Sequence, residues 1–151
     1  MEKFINPFIY AVKEVLHQII GIEPNIQELK ILNNTQLFDE IVVSVGFFGD
    51  ASGEAFFGMS HNTALNLARK MMCDNNICDL DFICENAIKE VGNMVTGVTG
   101  RECYSNGVDF DILPPKLYKD STASTITSND YVHIPIKFEN FGDINLNISF
   151  N

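Results

Sequence analysis

A short set of polar residues around position 90 has the types and spacing best suited to chemistry. Asn86, Glu90 and Gly97 are four and seven residues apart, and Asn93 follows Glu90 by three. Residues at these intervals lie on one side of an α-helix. A helix here would present a carboxylate and a carboxamide one turn apart, beside the bare backbone of a glycine. A carboxylate accepts hydrogen bonds and a carboxamide both donates and accepts them, so the set is suited to docking another molecule.

The surrounding residues predict the helix that this set requires. Three acidic residues, Asp79, Asp81 and Glu85, stand near its expected start, where negative charge favours the helix dipole. The helix is expected to run from about Leu80 to Val98. Its opposite side is a broad apolar face for a core. The residues of that predicted face are Leu80, Ile83, Cys84, Ala87, Ile88, Val91, Met94, Val95 and Val98.

Two glycines in this helix allow opposite interpretations. Gly92 and Gly97 each cost about 1 kcal/mol relative to alanine inside a helix, so a close approach by another group is expected at them. In the functional interpretation, a second molecule docks on the bare patch. In the structural one, Gly92 lets a strand pack closely, while Gly97 and Gly100 end the helix. The pattern alone favours the structural one, because exposed helix faces are commonly polar.

The remaining segments predict an α+β fold, with helices packed on one face of an antiparallel sheet. One helix is expected from an N-cap at Asn6 to Gly21, and a second over His61–Met72. The unit Ile41–Met72, a hairpin and a helix, is expected to be related by an approximate twofold repeat to the long helix and the terminal hairpin. The segment Lys116–Asp130 is expected to be loosely structured. The predicted strands are Leu29–Leu32, Ile41–Phe48, Ser52–Met59, Val108–Leu113, Tyr131–Glu139 and Asp143–Phe150.

Length and charge restrict the class of protein. A chain of 151 residues suits one domain, 1–151. Ten basic and twenty acidic side chains give a net charge of −10, which argues against a nucleic-acid partner. No apolar run approaches the roughly 18 residues of a membrane-spanning helix. The start Met1–Phe4 lacks a secretory pattern, so we expect the cytoplasm.

The cysteines and histidines do not have the spacing of a metal site. No two of the four cysteines form a CxxC pair, and the three histidines lie far apart. We therefore expect no metal, with a zinc site assembled from distant segments as the disfavoured alternative. The expected state of the thiols is reduced and buried.

The stretch from Asn86 to Gly97 resembles the signature helix of the CheC/CheX/FliY phosphatases: Ser or Asp, then ExxN, then a glycine one turn later. Here Asn86 replaces the Ser or Asp. Other segments are similar to the CheX subfamily in particular, and the resemblance spans nearly the whole chain. Those segments are Ile5–Ile9, Gly49–Glu54, Phe57–Ser60 and Leu113–Leu117.

The resemblance implies a phosphatase that removes phosphate from a phosphorylated CheY-like receiver domain in chemotaxis. It implies that Asn93 orients the attacking water and that Glu90 contacts the conserved active-site lysine of the receiver. Asn86, Lys89 and Gly97 would contact the same partner. The receiver would supply Mg²⁺, so no cofactor of this chain's own is expected.

The resemblance also bears on the number of sites and copies. Thr63 precedes Asn66 in the helix taken as the counterpart, where a second site would need Glu, so one site per chain is expected. A homodimer that joins sheets through an exposed C-terminal hairpin is implied as well. Two alternatives stay open: a non-catalytic binding module for a receiver or a flagellar-motor component, and a structural dimer.

Overall fold

The computed structural model describes residues 2–33, 39–119 and 130–151 of the chain. These residues contain three helices and eight strands. The segment 120–125, expected to be a mobile loop, lies outside the described residues. In chain order the elements are α1 (Glu2–Ile20), β1 (Asn25–Ile26), β2 (Lys30–Leu32), β3 (Ile41–Gly49), β4 (Gly53–Met59), α2 (His61–Met72), α3 (Phe82–Ser105), β5 (Phe110–Ile112), β6 (Lys116–Lys119), β7 (Tyr131–Phe138) and β8 (Gly142–Phe150).

The eight strands form one antiparallel sheet in the order β1-β7-β8-β4-β3-β5, with β2 also paired to β7 and β6 to β3. Alternate residues of the long strands face the helices, as Val43, Val45 and Phe47 do on β3. These residues and the apolar sides of all three helices share the main core. The structure therefore confirms the predicted α+β class, with helices packed on an antiparallel sheet.

A pseudo-twofold axis relates the two halves of the sheet. The hairpin β3–β4 pairs Ile41 with Met59, and β7–β8 pairs Tyr131 with Ser149 in the same register, shifted by 90 positions. Each half has a helix, two short strands and a long hairpin. The short strands are exchanged: β1 and β2 pair with β7, whereas β5 and β6 pair with β3. The predicted twofold relation is thus present, with its axis between β4 and β8.

The helix that belongs to the first half of the repeat is not the predicted one. The helix that precedes the short strands in the first half is α1, so α1 is the counterpart of α3, and α2 lies outside the repeat. The burial patterns agree with this assignment: a shift of 84 positions carries Phe4 onto Ile88 and Val15 onto Thr99, and each of the six buried residues of α3 in this range matches a buried residue of α1. The exception is buried Ile5, whose counterpart Lys89 is only partly buried. The choice of His61–Met72 as the counterpart helix was wrong because it followed chain proximity instead of strand pairing.

Two predicted helix boundaries shift outward: the start of α1 and the end of α3. α1 begins at Glu2 instead of after Asn6, because Phe4 is buried against Phe150, with ring centroids 6.0 Å apart, and the helical turn extends to bury it. α3 continues to Ser105 instead of ending near Val98. The predicted end of α1 is confirmed, since Gly21 adopts a φ of 78°.

The C-terminal hairpin lies inside the sheet. β8 is paired on both sides, by β4 and β7, and β7 is covered by β1 and β2. The hairpin is therefore not the exposed edge proposed for joining two copies. The start of the segment expected to be loose is also ordered, because Lys116–Lys119 pairs with β3 as β6. Among the helices of the described residues, none combines the length and apolar character needed to cross a membrane.

Candidate functional site

The N-terminus of α3 is set by Asp81. Its carboxylate accepts a hydrogen bond from the backbone N–H of Cys84 at 2.9 Å, which is the standard N-cap arrangement. The same backbone hydrogen bond holds the pKa of Asp81 below its usual value. The predicted acidic start of the helix is thus present. The cap fixes the residue at which α3 begins.

The buried side of α3 includes two threonines as well as apolar residues. The Oγ1 atoms of Thr96 and Thr99 donate to the carbonyl oxygens of Gly92 and Val95, both at 2.8 Å, so their hydroxyls are satisfied without solvent. Ile83, assigned to the core from its spacing, is instead 60% exposed. The buried residues of the helix are Cys84, Ile88, Val91, Gly92, Val95, Thr96, Thr99 and Cys103.

Gly92 brings the backbone of α3 close to the sheet. A Cβ added to Gly92 would lie 2.7 Å from Cγ1 of Val43 on β3, closer than real Cβ atoms come to other atoms. The predicted close packing of a strand against Gly92 is confirmed. Because Asn93 is the next residue, this contact also sets the height of Asn93 above the sheet.

The opposite side of the helix carries the residues predicted to form the site. Asn86, Glu90 and Gly97 are exposed, while Lys89 and Asn93 are partly buried. We call these five residues the α3 stripe. They lie within about three turns of one helix, so the structure places them on one continuous surface.

The glycine of the stripe leaves a bare patch of surface. A Cβ added to Gly97 would have no atom within 4 Å. Gly97 and Gly100 are both inside α3, so the interpretation that they end the helix is wrong. Gly100 has a packing role instead, because its Cβ would lie 3.1 Å from the ring of Phe110.

The polar groups of the α3 stripe are available to a partner. Within the described residues, neither the Glu90 carboxylate nor the Asn93 carboxamide has a hydrogen-bond or ion-pair partner. Glu85 lies four residues before Lys89, but within the described residues its ion-pair partner is Lys119 on β6. The stripe therefore presents a charged acceptor, a neutral amide and an ammonium group to whatever binds there.

The corresponding groups on the other helices are not available in this way. On α2, Asn66 donates to the carbonyl oxygen of Phe141 and accepts from Arg69, both at 2.9 Å. On α1, the residues related to Glu90 and Asn93 by the pseudo-twofold shift are Asn6 and Ile9. These contacts support the expectation of one site per chain, which stays a prediction.

The described residues contain no group of three or more His, Cys, Asp or Glu side chains able to hold a metal ion. The thiols divide into two pairs. Cys84 and Cys103 are buried, and burial raises the pKa of each. Cys73 and Cys78 are exposed between α2 and α3, so the expectation of buried thiols is wrong for them. Cys73 is the C-cap of α2 and Cys78 follows it in the connection to α3, so neither lies on the apolar face of a helix.

Replacing Gly97 by alanine is expected to raise the free energy of unfolding by about 1 kcal/mol. The position is inside α3, its φ is helical, and open space surrounds the new methyl group. Urea denaturation followed by circular dichroism would measure the change. Gly100→Ala is the matched control and should gain less, because its Cβ meets the Phe110 ring. A loss of stability in Gly97→Ala would contradict the assignment of Gly97 to open surface.

Known proteins share this fold, and the residues of this chain that match them include the α3 stripe. Residues 41–137, which include all of α3, match the family described as chemotaxis phosphatase CheX. The CheY-P phosphatase CheX of Thermotoga maritima is 25% identical over 147 residues, which cover 97% of this chain and 95% of that protein.

Solved structures show the same fold at similar identity. The chemotaxis protein CheX from Desulfovibrio desulfuricans has a TM-score of 0.87 and 23% identity, with 100% of both chains covered. CheX in the CheX-CheY-BeF3-Mg+2 complex from Borrelia burgdorferi has a TM-score of 0.81 and 23% identity, covering 98% of this chain and 97% of that one. Since the family match spans well over half of the 151 residues, this chain belongs to the chemotaxis phosphatase CheX family.

Proposed function

We propose that this protein hydrolyses the aspartyl phosphate of a CheY-like receiver domain. The observation that carries the proposal is the pair Glu90 and Asn93, one turn apart on the outer side of α3, with neither side chain bonded within the described residues. Membership of the CheX family supports the reaction class. The activity named for the Thermotoga maritima relative supports the substrate.

In this proposal Asn93 orients the attacking water. Its carboxamide oxygen accepts a hydrogen bond from the water, and its NH₂ group donates one to the phosphoryl group or the water oxygen. The water oxygen forms a bond to phosphorus while the bond from phosphorus to the aspartate oxygen breaks. The protons of the water leave with the released phosphate, and the aspartate carboxylate is restored. A neutral amide is sufficient because phosphoryl transfer has a loose transition state, which depends on positioning more than on a strong base.

Glu90 acts as a docking residue in the same proposal. Its carboxylate binds a lysine ammonium of the receiver active site through a charge-assisted hydrogen bond. That contact fixes the rotation of α3 in the receiver pocket, and Asn93 then enters one turn further along. Gly97 permits close backbone approach, and Asn86 and Lys89 contact the receiver on either side of Glu90.

The receiver supplies the divalent cation in this proposal. The CheX-CheY complex from Borrelia burgdorferi contains Mg²⁺ and BeF3. The described residues of the present chain offer no metal-ligand group. The proposed task of this chain is therefore to position water next to a phosphoryl group that the receiver already holds.

The decay of a phosphorylated receiver, with and without this protein, tests the function. A CheY-type receiver from the same organism would be phosphorylated with a radiolabelled small-molecule donor, freed of the donor and followed over time. The proposal expects decay to accelerate in proportion to a catalytic amount of this protein. If the receiver binds and its decay does not accelerate, the protein is a binding module and the phosphatase proposal is wrong.

Replacing Glu90 by glutamine is expected to weaken binding to the receiver by about 10–100-fold, because the receiver lysine then lacks its charged partner. The exposed side chain makes no contact that the fold depends on, so stability should hold. Isothermal titration with a beryllofluoride- and Mg²⁺-loaded receiver measures the affinity. Glu139→Gln, an exposed glutamate at the β7–β8 turn, is the matched control. Equal affinities for the two variants would remove Glu90 from the docking contact.

The proposal also places the protein in the cytoplasm as a homodimer. Short strands close both edges of the sheet, and the long hairpins lie inside it. A second copy that extends the sheet therefore has to pair with the short strands on one side, β1 and β2 or β5 and β6. Sedimentation equilibrium would measure the mass, and a monomer at micromolar concentration would contradict this part of the proposal.

A further inference from the structure

Three large side chains are exposed near the two ends of α3: Phe82 and Ile83 at its start and Tyr104 at its end. Ile83 is 60% exposed and Tyr104 is 81% exposed. Ile83 and Tyr104 belong to a seven-residue series with Glu90 and Gly97, and a seven-residue step returns almost to the same side of a helix. Both therefore lie in line with the α3 stripe. Sequence reasoning assigned Ile83 to the core and passed over Tyr104, although this seven-residue spacing was visible.

The exposure of these two residues follows from how α3 packs. Cys84 and Cys103, their immediate neighbours, are buried on the sheet side of the helix. Ile83 and Tyr104 consequently point away from the core. Single exposed apolar residues are ordinary on a protein surface. The feature that needs explanation is that both lie on the line that carries Glu90 and Asn93.

The distances match the size of a specific protein interface. A typical interface buries about 800 Å² on each partner, equivalent to a disc of about 16 Å radius. At 1.5 Å per helical residue, Ile83 lies about 15 Å from Asn93 along the axis and Tyr104 about 16.5 Å in the other direction. The rim of an interface of this size centred on Asn93 therefore falls at these two residues.

We propose that Ile83 and Tyr104 are the two apolar contacts that hold the phosphorylated receiver along α3. This inference rests on the proposed function, since the receiver is the partner whose phosphoryl group meets Asn93. The partner surface must then carry an apolar contact on each side of its phosphorylation pocket, about 30 Å apart along α3. The polar centre positions the reacting groups, and burial of the two end residues adds apolar contact area.

The experiment measures the steady-state release of phosphate while acetyl phosphate keeps the receiver phosphorylated. Ile83→Ser and Tyr104→Ala are each expected to raise the KM for the phosphorylated receiver about tenfold and to leave kcat unchanged. The double variant should raise KM about hundredfold, because distant sites act additively. Ile31→Ser is the matched control, since Ile31 on β2 is 61% exposed and lies away from α3; because β2 is one of the edges open to a second copy, the variants are compared at equal self-association. Its KM should equal that of the wild type.

Affinity for the beryllofluoride- and Mg²⁺-loaded receiver separates this inference from the proposed function. If the wild type binds without accelerating hydrolysis, the function fails, yet weaker binding by Ile83→Ser and Tyr104→Ala would still support the docking surface. Unchanged affinity and KM in both variants would overturn the inference. So would an equal loss in Ile31→Ser, or a loss of self-association in Ile83→Ser without receiver, which would assign the surface to a second copy of this chain.

Discussion

Replacing Asn93 by alanine is expected to reduce the acceleration of receiver dephosphorylation by about hundredfold or more, because the attacking water loses the group that aligns it. Affinity for the receiver should change little, since Glu90 and the ends of the helix remain. Asn93 is partly exposed and its side chain has no partner in the described residues, so the variant should fold. Decay of the phosphorylated receiver and titration of the beryllofluoride-loaded form measure the two quantities separately.

A second asparagine provides the control for this substitution. Asn62 is exposed on α2, away from the α3 stripe, and Asn62→Ala should keep the full rate. Asn93→Asp is informative too, because it keeps the shape and adds a negative charge beside the phosphoryl group. A rate in Asn93→Ala above about a tenth of the wild-type rate would rule out water alignment as its main role.

Replacing Gly92 by valine is expected to lower the free energy of unfolding by about 3 kcal/mol. The added Cβ would lie 2.7 Å from Val43, and side chains of Val45 and Phe57 surround the same place at 3.4 and 3.5 Å. The helix backbone must then move away from β3. For a chain of this length the midpoint of thermal unfolding should fall by about 6–12 °C, which calorimetry would measure.

The matched substitution five residues later should behave differently. Gly97→Val places the same side chain where no atom lies within 4 Å, so its effect on thermal unfolding should be small. It should still weaken receiver binding, because the branched side chain fills the bare patch. If the two variants lost equal stability, the close contact of Gly92 with β3 would not be what positions α3.

Much of the site could be predicted from local sequence because a helix has a fixed period. The three- and four-residue spacing of Asn86, Glu90 and Asn93 was enough to place them on one side, and the structure confirms that arrangement. The strands of the long hairpins were equally clear from their apolar residues. Their turns contain Asn140 and Gly49, which adopt φ values of 59° and 131°.

What could not be predicted depends on contacts between distant segments. Thr96 and Thr99 look polar in sequence, yet both are fully buried where α3 packs against the rest of the chain. The bond from each hydroxyl to the carbonyl four residues earlier permits that burial but does not predict it. Ile83 looks apolar, yet it is exposed because the sheet lies on the other side of α3. The role of α1 as the counterpart of α3 follows from strand pairing, and no short segment records it.

The exchange of short strands between the two halves affects how this protein folds during its synthesis. Neither half completes its own part of the sheet: a fragment ending after α2 lacks the strands that cover β3, and one beginning at α3 lacks those that cover β7. The contact of Gly92 with Val43 likewise joins the two halves. During synthesis, the central part of the sheet can therefore be completed only after β8 has left the ribosome. Because such non-local pairings slow folding, newly made chains spend time with unpaired hairpins.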